Sequence, residues 1–180
     1  MSGIRIEALS ASPNISEALG TMLIDVVANN GSVSFMHPLE PARAAEFWAG
    51  SLAAAARGER IVLGAFDDEA GGALVATVTL LLDTPQNQAH RGEIAKMMTR
   101  PSHRGRGIAS ALMREVERLA VEHGRTLLML DTATVDGASK LYEALEFTFA
   151  GEIPDYALTP MGELTGTKIY WKRIGAAASR

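Results

Sequence analysis

Cysteine is absent from the 180 residues. That excludes disulfides, thiolate metal sites and a cysteine nucleophile. Histidine is scarce, and the four present are scattered without paired spacing, which argues against a zinc site. Long apolar runs are missing too. The longest, Ala73 to Leu82, falls well short of the roughly 20 residues a membrane-spanning helix takes. The opening Met1-Ser2-Gly3-Ile4-Arg5 has no apolar core of the kind a secretion signal carries. Nor is there an excess of positive charge: a net charge of −4 argues against nucleic acid as the main partner. These absences predict a cytoplasmic, soluble protein with neither membrane nor nucleic acid as a partner and no bound metal.

What is present is enough for a real core. A hydrophobic fraction of 47% over this length fits one well-packed domain spanning residues 1–180, with no repeat or linker in view. The pattern predicts a first strand at Ile4–Leu9 and a helix capped by Asn14 that runs to about Val27. A second helix is expected over Pro41–Ala56, followed by a hairpin of Arg60–Phe66 and Ala73–Leu82 joined through the turn Asp67–Gly72. A strand at Gly92–Met98, a helix at Gly107–His123, a strand at Thr126–Asp131 and a helix at Gly137–Leu145 follow. A last hairpin is formed by Phe147–Ile153 and Lys168–Lys172. The expected fold class is α/β (α+β): a mixed, mostly antiparallel sheet with one βαβ unit and flanking helices.

The chemistry centres on Pro101-Ser102-His103-Arg104-Gly105-Arg106-Gly107-Ile108-Ala109-Ser110. Glycines let a backbone approach a ligand closely, and amides at a helix start converge on an anion. Arg104 and Arg106 add positive charge, so the segment reads as a pyrophosphate cradle. By itself the pattern also occurs in solvated loops. Its context strengthens it: an apolar strand precedes, and Ile108, Leu112, Met113, Val116 and Ala120 follow at helical spacing.

From Glu93 onward the chain resembles the GNAT superfamily of acetyl-CoA-dependent N-acetyltransferases. The resemblance rests on the strand before the loop, on Arg-x-x-Gly-x-Ala (Arg104, Gly107, Ala109), and on the strand Leu127–Asp131. It also rests on Ala138-Ser139-Lys140-Leu141-Tyr142-Glu143-Ala144-Leu145-Glu146-Phe147. Gly31-Ser32-Val33-Ser34-Phe35-Met36, Leu130-Asp131-Thr132 and Gly151-Glu152-Ile153-Pro154-Asp155-Tyr156 resemble the tabtoxin-resistance type within it. Two positions depart from the superfamily pattern. Val135 stands where Asn is frequent and removes one polar contact to a pantetheine arm; Glu146 stands where Gly is frequent and implies a different turn.

The resemblance implies acetyl-CoA as cosubstrate and a central parallel strand pair that splays to admit it. Met97, Met98 and Thr99 would present backbone to the pantetheine arm, with the Met98 amide on the acetyl carbonyl; both methionines also suit simple core alternation. Arg104, Gly105, Arg106, Gly107, Ile108, Ala109 and Ser110 would hold the pyrophosphate, and Ser139 the pantetheine. Glu93 and Asp131 are the acidic candidates for attracting and deprotonating a cationic amine, although carboxylates at strand ends are often merely solvated. Tyr142 is the candidate proton donor to the departing thiolate, or else a core aromatic. Ser32, Ser34, Phe35, Met36, Asp155 and Tyr156 are candidate walls of an acceptor pocket. The expected partner is a small-molecule amine on an amino-acid-like compound, a β-lactam toxin being the sharpest case; a homodimer stays open.

Two rivals remain at this level. A dinucleotide-binding oxidoreductase is suggested by Gly105-x-Gly107-x-x-Ser110 with Asp131 downstream, against which stand the third position being Ser110, the two arginines and the preceding hairpin. A non-catalytic acyl-CoA-binding sensor would bind the same cofactor without turnover.

Overall fold

The computed structural model describes residues 3–135 and 137–175. The first half contains β1 (Ile4–Ala8), α1 (Pro13–Ala28), α2 (Pro41–Ala56), β2 (Arg60–Asp67) and β3 (Ala73–Leu81). The second contains β4 (Arg91–Thr99), α3 (Ile108–Glu122), β5 (Leu127–Ala133), α4 (Ser139–Ala144), β6 (Thr148–Leu158) and β7 (Leu164–Arg173). The strands make one seven-stranded sheet in the order β1-β2-β3-β4-β5-β7-β6. Among the described residues, β4 and β5 are the one parallel pair and every other pairing is antiparallel. The expected mixed, mostly antiparallel sheet is therefore what the chain forms. A doubly wound dinucleotide fold needs successive parallel crossovers, so the oxidoreductase reading does not survive this topology.

Each face of the sheet has its own core, as the strand period of two requires. On one face Leu63, Leu80, Ile94, Leu128 and Leu130 pack against Ile108, Leu112, Met113, Val116 and Ala120, the apolar stripe of α3. Truncating Leu112, which is fully buried, to Ala would cost about 2–5 kcal/mol. On the other face Val62, Phe66 and Met98 meet Leu19, Met22 and Leu23 of α1 and Trp48 and Leu52 of α2.

Ile94 and Met98 lie four residues apart on β4 yet enter opposite cores, which strict alternation forbids. The register explains it. Thr79 pairs with Ala95 and Thr77 with Met98, so Val78 faces two residues, Lys96 and Met97. This is a β-bulge, and Lys96 takes the left-handed backbone at φ 52.

Several local expectations need correction. Ser12, not Asn14, caps α1: its hydroxyl accepts from the Ile15 amide at 3.2 Å, and Pro13 opens the helix with no amide to satisfy. Helix α4 is shorter than Gly137–Leu145. The last hairpin is longer than expected, reaching Leu158 and starting again at Leu164. Its outer strand is exposed along most of its length, so burial imposes no alternation that a sequence would display. Glu146 does not build a different turn. It adopts φ 64, the conformation a glycine would take after the helix, at a cost of about 1 kcal/mol or more for a residue with a side chain.

Candidate active site

The β4–β5 ladder runs from Arg91–Leu127 to Ile94–Leu130 and stops there, although β4 continues to Thr99 and β5 to Ala133. Beyond that point the β4 bulge turns the two strands apart, and a cleft of about 910 Å³ fills the gap. That is at the large end for a small-molecule site. Its lining joins the β4 edge at Met97, Met98 and Thr99, the end of β5 at Asp131, and Tyr142 on α4.

The glycine loop closes one end of the cleft. Gly105 and Gly107 both sit at φ 76, and Gly107 is the residue from which α3 starts. The first helical bond runs from the Ala111 amide to the Gly107 carbonyl at 3.1 Å. The amides of Ile108, Ala109 and Ser110 precede that bond and carry the positive end of the α3 dipole. Ile108, Ala109, Ser110, Arg104, Gly105 and Gly107 all line the cleft. Such a set of donors fits a diphosphate.

Arg106 behaves differently from its neighbours. Its guanidinium donates to Asp67 Oδ2 at 2.8 Å, and it lies outside the cleft lining. Asp67 is only 4% exposed, ends β2, and also lies 3.4 Å from His103 Nε2. The Arg106 hydrogen bond, aided by the Glu69 and Ala70 amides, holds the Asp67 carboxyl below the usual carboxylate range against the opposing effect of burial. The expected ligand-binding arginine is thus an anchor fastening the loop to the sheet.

The two acidic candidates are placed unequally. Asp131 lines the cleft, and its Oδ2 accepts from Thr167 Oγ1 at 2.9 Å. Glu93 pairs in register with Met129, two residues before Asp131, so both carboxylates share a sheet face. Glu93 nonetheless stays outside the lining and takes a hydrogen bond from Arg91 at 3.1 Å.

Tyr142 is 5% exposed, lies among Phe147 and Tyr170, and also reaches the cleft wall. Ser139, one turn earlier, does not line the cleft. On the acceptor side Ser32, Ser34 and Tyr156 contribute to the lining. Phe35 packs edge-on against Phe47 at 5.2 Å, Met36 is exposed, and Asp155 sits at φ 51 on β6; none of the three lines the cleft. Val135 does, and is largely exposed there.

Sequence reasoning missed Lys96 and Thr167. Lys96 is the one charged side chain in the apolar stretch between Ile94 and Thr99, a local signal in the sequence. Burial pushes its ammonium below the ordinary lysine value, with Asp131 acting in the opposite sense.

The profile of the acetyltransferase (GNAT) family matches residues 23–147, from within α1 to the end of the Tyr142 segment. The chain belongs to this family. The GNAT fold is equally plain in three dimensions: yncA of Salmonella typhimurium, solved with its cofactor acetyl-CoA, superposes with a TM-score of 0.78. That likeness covers 99% of this chain and 98% of the other at 14% identity. N-acetyltransferase 8 of Rattus norvegicus is 35% identical over 86 residues, 47% of this chain and 39% of that protein. N-acetylaspartate synthetase of Danio rerio is 40% identical over 70 residues, 38% of this chain and 25% of that protein. The matches to these two relatives thus span two fifths or less of their length.

Among the described residues no cluster of histidine, aspartate or glutamate is arranged to hold a metal, and no helix is long and apolar enough to cross a membrane.

Proposed function

We propose that the protein is an acetyl-CoA-dependent N-acetyltransferase acting on the primary amine of a small, amino-acid-like molecule. One observation carries the reading: the unladdered edge of β4, the amides that open α3, Asp131 and Tyr142 all border the same cleft. The residues suit the cofactor. Amides 108–110 with Arg104 would hold the pyrophosphate, and the β4 edge at Met97–Thr99 would pair with the pantetheine arm. Bound there, acetyl-CoA supplies the acetyl group as an activated thioester.

The remaining work falls to the chain. A backbone amide on the cleft edge of β4 polarises the acetyl carbonyl. The expected Met98 amide is not that group, because its register with Thr77, continuous with the Arg100–Val75 hydrogen bond, turns it toward β3. Asp131, held by Thr167, draws in the cationic amine and takes its proton. The Tyr142 hydroxyl gives a proton to the departing sulfur. Glu93 shares the sheet face of Asp131 but acts at most through water. Ser32, Ser34 and Tyr156 border the acceptor. A β-lactam toxin of the tabtoxin type is the sharpest candidate acceptor, supported by the resemblance in Gly31–Met36 and Gly151–Tyr156.

The test is acetyl-CoA-dependent thiol release across free amino acids, a tabtoxinine-type β-lactam and short peptides. Turnover of free amino-acid analogues is expected. Peptides turning over far better than every one of them would overturn the acceptor class, and cofactor binding without release for any amine would leave a sensor instead.

A further inference from the structure

Lys96 stands at the bulge where β4 leaves β5, and its side chain enters the cleft opposite Asp131. Its Nζ donates to Ser34 Oγ at 3.0 Å and lies 5.7 Å from the centre of the Phe47 ring. An ammonium carries three donors, and the serine uses one. Asp131 acts on this cation through space, without a hydrogen bond between them. The aspartate spends one oxygen on Thr167. A cation from one strand and an anion from its neighbour therefore face the same gap without neutralising each other.

We infer that Lys96 and Asp131 together form a subsite for a zwitterion, so that the acceptor is a free amino carboxylate whose carboxylate meets Lys96 while its amine meets Asp131. This deepens, and rests on, the acetyl-transfer reading above. A half-buried cation with spare donors gains from a ligand that brings an anion, because a charge-assisted bond is shorter and stronger in a partly desolvated cleft than in open water. The fixed separation of the two charges selects the molecule that carries both, and neither a simple amine nor an internal peptide residue does. Ser34 positions the ammonium rather than reacting, and the Phe47 ring face adds a weaker attraction.

The test measures thiol release from acetyl-CoA by the wild type, Lys96→Gln and Lys96→Arg. The acceptors are a panel of L-amino acids and, for the best of them, its carboxamide and its decarboxylated amine. The wild type should favour the acid over its carboxamide by about 10–100-fold in kcat/KM, carried mainly by KM. Lys96→Gln should erase that ratio, and Lys96→Arg should keep part of it. Equal rates for acid and carboxamide in the wild type, or the full ratio persisting in Lys96→Gln, overturns this inference alone. No thiol release with any amine, while calorimetry still detects coenzyme A binding, overturns the acetyl-transfer reading and this inference with it.

Discussion

Replacing Asp131 by Asn and Glu93 by Gln separates two carboxylates that the sequence leaves equivalent. Asp131→Asn is close to isosteric, and its amide oxygen can still accept from Thr167, now 2.9 Å from Oδ2. The edge presented to the cleft then becomes an NH2 donor, which repels an ammonium and cannot take a proton. Losing a general base costs roughly 10²–10⁴-fold in rate, which at about 1.4 kcal/mol per decade raises the barrier by about 3–5 kcal/mol. Glu93→Gln removes a partner of Arg91 on a side chain that is 43% exposed, where an ion pair contributes about 0–1 kcal/mol to stability. Its kcat/KM should stay within a few-fold of wild type. Steady-state thiol release from pH 6 to 9, with melting curves as a folding control, measures both. Wild-type rates in Asp131→Asn, or an equal fall in Glu93→Gln, would refute the assignment.

Gly107→Asp places a carboxylate at the start of α3 and a side chain at φ 76. Calorimetry should show coenzyme A affinity falling by on the order of tenfold or more, and the strain of about 1 kcal/mol should lower Tm by a few degrees. Tyr142→Phe keeps the ring between Phe147 and Tyr170, so kcat should fall clearly while coenzyme A affinity holds and Tm drops only a little; an unchanged kcat makes the tyrosine a core residue. Asp67→Asn tests the loop anchor through pH. The native Asp67 carboxyl titrates below its unfolded value of about 3.9, so its contribution is complete above about pH 4 and lost as pH falls through the native value. The Tm gap between wild type and variant should therefore be open at neutral pH and close in acid; a gap that stays constant removes Asp67 from the ion pair.

The glycine loop and α3 were legible because their signals are local: two glycines at positive φ and an apolar stripe at helical spacing lie within one stretch of chain. What escaped depends on contacts across the chain. Arg106 looked like a ligand for phosphate, and only folding brings it to Asp67, 39 residues away in sequence. Glu93 and Asp131 looked alike until the strand register put one in the cleft and the other beside Arg91. The bulge at Lys96 is decided by what β3 places opposite it, and β4 read alone does not disclose an extra residue. Pocket walls failed in the same way: Ser34 and Tyr156 reach the cleft while Phe35 and Asp155, their immediate neighbours, do not.

The extra residue in β4 separates what the fold requires from what the cleft requires. Remove Lys96 and Ile94 stands three residues from Met98, an odd spacing, so plain alternation delivers both to the cores they already occupy. Neither hydrophobic layer depends on the insertion. Only the bend does, and with it the parting of β4 from β5 that makes room for a ligand. A chain shortened by that single residue would keep a sound scaffold with its central seam zipped further toward Thr99. The strain at φ 52 is therefore the mark of an opening held against the sheet's own tendency to close.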